Sequence, residues 1–214
     1  DSLTGSAYGD TINGLAGNDV IIGGAGGDTI DGGDGVDTIT LGTTADVDNV
    51  KMETVLLAAN LDNVTNFTVG TAADDVVTLG TANTTNAGAT AVGTSTTVAG
   101  VGGGEYAITG ATTNAHDVVL LTASVAGANT GDLSKSLDGT ELLKALTSPA
   151  AADTYTGITT TAQDDKVYLA VSQGGVTYLY TANDGDGSGS FSAAEIILIG
   201  TFDAVLDAGS FTFL

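Results

Sequence analysis

Cysteine and tryptophan are absent from this chain of 214 residues, and proline and histidine occur once each. Stability therefore cannot come from disulfides, and neither a cysteine nucleophile nor a multi-histidine metal site can be built. Positive charge is almost as scarce: four Lys and Arg stand against 26 Asp and Glu, a formal charge of −22. Such a chain is repelled by nucleic acid and by anionic membrane surfaces, so no nucleic-acid partner and no membrane insertion are expected. Self-repulsion of this size also opposes the compact state unless cations bind. No apolar run approaches a membrane span, and neither H-E-x-x-H nor G-x-S-x-G occurs. The lone His116 beside Asp117 has no catalytic company in sequence. A non-enzymatic role is expected.

What the chain has is glycine, aspartate and a period. From Asp1 to Thr40 aspartate recurs every nine residues, at Asp1, Asp10, Asp19, Asp28 and Asp37. An aliphatic follows two places later each time: Leu3, Ile12, Ile21, Ile30 and Ile39. Glycine opens the units at Gly5, Gly14, Gly23 and Gly32, and returns at Gly17, Gly26 and Gly35. The pattern is the nonapeptide G-G-x-G-x-D-x-U-x. Six residues of each unit turn tightly, using backbone conformations that glycine tolerates. The remaining three form a short strand whose middle residue points inward.

Successive units alternate between the two edges of a flattened coil, so residues eighteen apart stack: Asp10 over Asp28, Asp19 over Asp37. Carboxylates one strand spacing apart, roughly 5 Å, repel by about 3 kcal/mol at an effective dielectric near 20. A hard dication between them turns repulsion into coordination. Calcium fits because it tolerates irregular, many-oxygen shells. Asp1, Asp10, Asp19, Asp28 and Asp37 are the expected ligands, with turn carbonyls around Gly17, Gly26 and Gly35 completing the shell. Ser6, Tyr8 and Leu15 depart from the glycine pattern around Asp10 and Asp19.

These repeats resemble the RTX (hemolysin-type) family of proteins exported by Gram-negative bacteria. The resemblance implies a calcium-bound parallel β-roll, with Asp1 falling inside a longer array. The expected architecture is mainly all-β: a roll over residues 1–48, then a β-rich C-terminal domain over 49–214 with one short helix. Asp46 keeps the nine-residue register while Asp48 occupies an inward position, which reads as the closing turn. The Asp62–Leu79 stretch is similar to the segment that follows RTX repeats. Residues 81–104, almost all Ala, Thr, Gly, Asn and Val, read as a surface excursion or thin β-layer.

Strands are expected at 54–57, 105–108, 118–121, 166–171, 176–180 and 196–199, with a Gly174-Gly175 hairpin turn. One helix is expected from Leu137 to Leu146, capped by Asp138 or Thr140. The loop Asp184–Glu195 fits the twelve-residue EF-hand template. On that template Asp184, Asp186 and Ser188 donate side-chain oxygens, Ser190 a carbonyl and Glu195 both carboxylate oxygens. The ending from Gly200 to Leu214 resembles an uncleaved C-terminal type I secretion signal.

With the low pI of about 4.1 and the Ala/Thr/Gly/Val composition, the resemblance implies a structural calcium-binding module of a secreted surface (S-layer) protein. It would be exported by the type I secretion machinery, fold on extracellular calcium and self-associate in a lattice on the bacterial cell surface. The alternative is the calcium-dependent export domain of an adhesin or exoenzyme whose active part lies upstream.

Overall fold

The computed structural model describes residues 1–43, 45–52, 60–70, 74–80, 92–95, 98–101, 105–108, 118–121, 132–146, 157–159, 166–184 and 190–213. The N-terminal part is a parallel β-roll. Its strands are β1 (Ser2–Thr4), β2 (Thr11–Asn13), β3 (Val20–Ile22), β4 (Thr29–Asp31), β5 (Thr38–Thr40), β6 (Asn49–Lys51), β7 (Asp62–Thr65) and β8 (Val76–Leu79). Odd strands pair in parallel in the order β1-β3-β5-β7, and even strands in the order β2-β4-β6-β8. The registers stack Leu3 on Ile21, Ile39 and Val64 in one sheet. In the other, Ile12 stacks on Ile30, Val50 and Val77. Ile21, Ile30, Ile39, Val50, Val64 and Val77 are fully buried. Each three-residue strand thus drives one aliphatic inward, contributing about 1.5–3 kcal/mol per side chain, while its neighbours face out.

The chain continues through β9 (Val92–Ser95), β10 (Val98–Val101), β11 (Glu105–Ile108), β12 (Val118–Leu121), helix α1 (Thr140–Leu146) and β13 (Gly157–Thr159). Then come β14 (Lys166–Gln173), β15 (Val176–Asn183), β16 (Ser190–Ser192), β17 (Ile196–Phe202) and β18 (Phe211–Phe213). Contacts divide it into two compact units. The first holds Asp1–Thr81, Gly174–Tyr178 and Ile199–Leu214, and the second Ala82–Gln173 and Leu179–Leu198.

The first unit corrects the expected end of the roll at residue 48. Strands β6, β7 and β8 prolong both sheets, and the C-terminal segment adds the next strand to each. Gly200–Phe202 pairs in parallel with β7, putting Phe202 beside Val64. β18 pairs in parallel with β8, putting Phe211 beside Val77. The ending that resembles an uncleaved type I secretion signal thus forms, as folded, a further coil of the roll. Phe202 meets Phe67 edge-to-face, with ring centroids 5.3 Å apart.

In the second unit, β9, β12 and β14 pair in parallel. A separate four-stranded sheet runs β10-β11-β13-β16. The strands expected at 105–108, 118–121, 166–171, 176–180 and 196–199 are present. Helix α1 starts where Asp138 accepts the Thr140 amide at 2.9 Å, so Asp138 is the capping side chain. It buries Leu142 and Leu143, while Leu137, expected as its first residue, precedes it and is half exposed. Between β14 and β15, Gly174 and Gly175 both take left-handed φ of 64° and 89°, as a type I′ turn requires. The strand expected at 54–57 and His116 fall outside the described residues. No helix among the described residues is long and apolar enough to cross a membrane.

Candidate metal centre

The aspartates form two ladders, one along each edge of the roll. On one edge the Asp10 amide donates to Asp28 Oδ1 (2.8 Å), the Asp28 amide to Asp48 Oδ1 (2.8 Å) and the Asp48 amide to Asp75 Oδ1 (2.9 Å). On the other the Asp19 amide reaches Asp37 Oδ1 (2.7 Å) and the Asp37 amide reaches Asp62 Oδ1 (3.0 Å). The amino group of Asp1 binds Asp19 Oδ1 in the same sense, while the Asp1 side chain is exposed. Each rung's carbonyl accepts the amide that follows the next aspartate, as in Thr29 N to Asp10 O and Asn49 N to Asp28 O. Backbone and side chain therefore set one register together.

The expected stacking of Asp10 on Asp28 and of Asp19 on Asp37 is present. Two sequence expectations change. Asp46 is exposed, and Asp48 rather than Asp46 is the rung. Asp62 and Asp75, absent from the expected ligand set, continue the ladders. All three sit in the same local triplet as the repeat aspartates, Asp-x-aliphatic: Asp48-Asn49-Val50, Asp62-Asn63-Val64 and Asp75-Val76-Val77. That triplet is the signal that could have found them.

The rungs are buried: Asp19, Asp28, Asp37, Asp48, Asp62 and Asp75 are each at most 4% exposed. Yet Oδ2 of Asp19, Asp28 and Asp37 has no hydrogen-bond partner. A buried carboxylate oxygen without donor or cation costs several kcal/mol. Each of these oxygens faces a glycine of its own turn. A Cβ on Gly14 would lie 2.7 Å from Asp19 Oδ2, and one on Gly23 would lie 2.6 Å from Asp28 Oδ2. Gly32 stands in the same relation to Asp37 Oδ2. The turns also bring main-chain oxygens against the glycines of the neighbouring coil: a Cβ on Gly9 would lie 2.7 Å from the Gly27 carbonyl oxygen. Orphaned carboxylate oxygens beside Cβ-free, carbonyl-lined turns form a hard all-oxygen donor set, which suits calcium. Among the described residues no three Asp, Glu or His side chains converge on one point. Calcium here must draw on rung carboxylates and turn carbonyls together.

Burial sets the electrostatics. It pushes the carboxyls of Asp37, Asp48 and Asp75 above the ordinary 3.8, and the neighbouring carboxylates add to the push. Asp10 moves the other way, because the Ser6 amide donates to its Oδ2 at 2.5 Å. Ser6, which replaces a repeat glycine, thus satisfies the oxygen that is orphaned in the next three rungs. Leu15, the other departure, adopts the left-handed φ of 75° that a glycine would have taken and stays exposed. Gly17, Gly26 and Gly35 have φ of 118°, 94° and 147°, the conformation that favours glycine.

Of the second expected site, Asp184, Ser190 and Glu195 are among the described residues. Asp184 is buried at the end of β15, and Asp186 and Ser188 lie outside the described residues. Ser190 begins β16. Glu195 Oε2 accepts the Ser192 amide (2.9 Å) and hydroxyl (2.8 Å), closing a capping box on the 3₁₀ turn Ala193–Glu195. Bidentate metal binding by Glu195 would compete with that cap.

Residues 3–42 match the family model of the RTX calcium-binding nonapeptide repeat in four copies. No curated protein and no solved structure matches the chain.

Proposed function

We propose that this chain, an RTX-type calcium-binding module of a secreted protein, is a structural element of a bacterial surface layer that folds on extracellular calcium and holds copies of itself in a lattice. The observation that carries the calcium step is the set of three buried, unpartnered Oδ2 atoms on Asp19, Asp28 and Asp37. Without a cation these oxygens and the stacked charges oppose folding, and the net charge of −22 acts in the same direction. Calcium supplies the missing counter-charge. Residues Asp19, Asp28 and Asp37 hold it, and Gly14, Gly23 and Gly32 leave the room for it.

The consequence is linkage. A ligand that binds only the folded form stabilises it by about 2.7 kcal/mol at a free concentration one hundred times its Kd. Where calcium is scarce, as in the cytosol, the acidic chain stays open and threadable through an export channel. Where calcium is plentiful, the coils close. The absence of cysteine agrees with a protein stabilised outside the cell by metal and packing. The low pI of about 4.1 and the small-residue composition support the surface-layer setting.

Electron microscopy of the full-length protein with and without calcium tests the reading. Ordered two-dimensional sheets that form with calcium and disperse in chelator are expected. Monomers that persist at saturating calcium would remove the lattice role.

A further inference from the structure

The ladder aspartates fall into two kinds by how their second oxygen is satisfied. In the repeat coils, Oδ2 of Asp19, Asp28 and Asp37 has no donor. At Asp75, beyond the repeats, a protein amide takes that place, as the Ser6 amide does at Asp10 in the first coil. Asp75 Oδ2 accepts the Thr68 amide at 2.8 Å, while its Oδ1 accepts the Asp48 amide. The donor comes from a longer connection: beyond the repeats successive rungs lie 20, 25 and 27 residues apart instead of 18.

The ladders also stop in the last coil. The registers place Gly200 beside Asp62, and two positions before Phe211, the partner of Val77, stands Gly209. Both rung positions lack a carboxylate. The Asp75 amide, with no further rung, donates to the Thr68 carbonyl at 3.0 Å. Asp203 then accepts the amides of Asn66 (2.8 Å) and Phe67 (3.0 Å), pinning the corner after β7. Met52, Phe67, Leu79, Phe202, Leu206 and Phe211 are all buried here, three of them aromatic, where the repeat coils bury aliphatics alone.

We propose that the roll has two tiers: a repeat tier, residues 1–43, that closes only on calcium, and a base of β6, β7, β8, Ile199–Phe202 and β18 that folds without metal. In the base, the Thr68 amide stands at Asp75 where the repeat tier needs a cation, and an aromatic core supplies the burial. The base presents Asp48 Oδ1 and Asp62 Oδ1 as ready acceptors for the amides of Asp28 and Asp37, so calcium adds coils to an end already formed. This rests on the calcium reading above for the repeat tier and adds the metal independence of the base.

Hydrogen exchange of the full chain in calcium and in EGTA separates the two tiers. In EGTA the amides of Ile21, Ile30 and Ile39 are expected to lose protection by at least about tenfold, while those of Val64, Val77 and Phe202 keep it. If Val64, Val77 and Phe202 lose protection together with the repeat strands, the two-tier proposal fails and the calcium reading stands. If the repeat strands stay protected in EGTA, the calcium reading itself fails. As a second measurement, Asp75→Ala should strip protection from β8 in EGTA, whereas Asp46→Ala, at an exposed position, should leave it intact. Equal exchange in the two variants would overturn the amide-for-cation argument.

Discussion

The Asp28 amide donates to Asp48 Oδ1 at 2.8 Å across 20 residues, the same contact that the Asp10 amide makes with Asp28 across 18. The rung is defined by that contact and not by the count. Each inner rung therefore has two functions: it receives the amide of the preceding coil on Oδ1 and offers Oδ2 to the turn.

Removing a rung should show both functions. Asp28→Ala deletes the acceptor of the Asp10 amide and one buried metal-facing oxygen, so calcium affinity should fall at least tenfold, about 1.4 kcal/mol. Asp74→Ala, next to a rung but outside the ladders, should change affinity much less. Asp10→Ala should also cost less than Asp28→Ala, because the Ser6 amide already satisfies Asp10 Oδ2. Calcium titrations followed by circular dichroism would check the order, and equal losses in all three variants would show the sites to be misplaced.

The glycines divide by what surrounds them. Gly26 has φ of 94°, and a Cβ there would lie 2.5 Å from the Gly9 nitrogen and 2.6 Å from the Tyr8 carbonyl carbon. Gly17 has φ of 118° with nothing within 4 Å. Gly17→Ala should cost only the backbone strain, about 1 kcal/mol, whereas Gly26→Ala adds a clash between coils and should cost about 2–3 kcal/mol. Melting temperatures at saturating calcium would separate them.

The repeat tier was legible because strict periodicity ties sequence to register: five aspartates and five aliphatics nine apart allow one coil geometry. The three further rungs at Asp48, Asp62 and Asp75 escaped a period-based reading because the connections lengthen. Insertions at the turns cost little loop entropy and leave the Asp-x-aliphatic triplet intact. The closure by the C-terminus was hidden for another reason. Phe202 and Phe211 join the inward stacks through pairing more than a hundred residues distant in sequence, and their strands carry Gly200 and Gly209 where the marker aspartate would be. The Asp184–Glu195 loop matched a spacing, yet spacing does not reveal that Ser192 engages Glu195 Oε2.

That closure predicts a large effect of a residue far from any repeat. Phe202 is fully buried, stacks beside Val64 and meets Phe67 edge-to-face. Phe202→Ala should destabilise the roll by about 3–5 kcal/mol even at saturating calcium, since it opens a cavity at the closed end. Urea denaturation with calcium present would show it, and a midpoint like that of the parent chain would mean that the last coil does not close the roll.

Acid should partly substitute for calcium. Burial raises the carboxyls of Asp37, Asp48 and Asp75 above the ordinary 3.8 in the folded chain. A group with a raised folded pKa binds more protons folded than unfolded. Its contribution is fully present below 3.8 and is lost as pH rises through the folded value. In EGTA the roll should therefore gain β signal as pH falls from neutral toward 3.8, while with calcium the trend reverses because protonated rungs release the ion. Asp132, held at about 2 by Ser134 and Lys135, works oppositely: its contribution is present above 3.8 and lost as pH falls toward 2. Asp132 belongs to the second unit, so in the roll the stabilisation gained by pH 3.8 should persist below it. A β signal in EGTA that declines steadily from neutral pH downward would show that the buried rungs do not govern the metal-free chain.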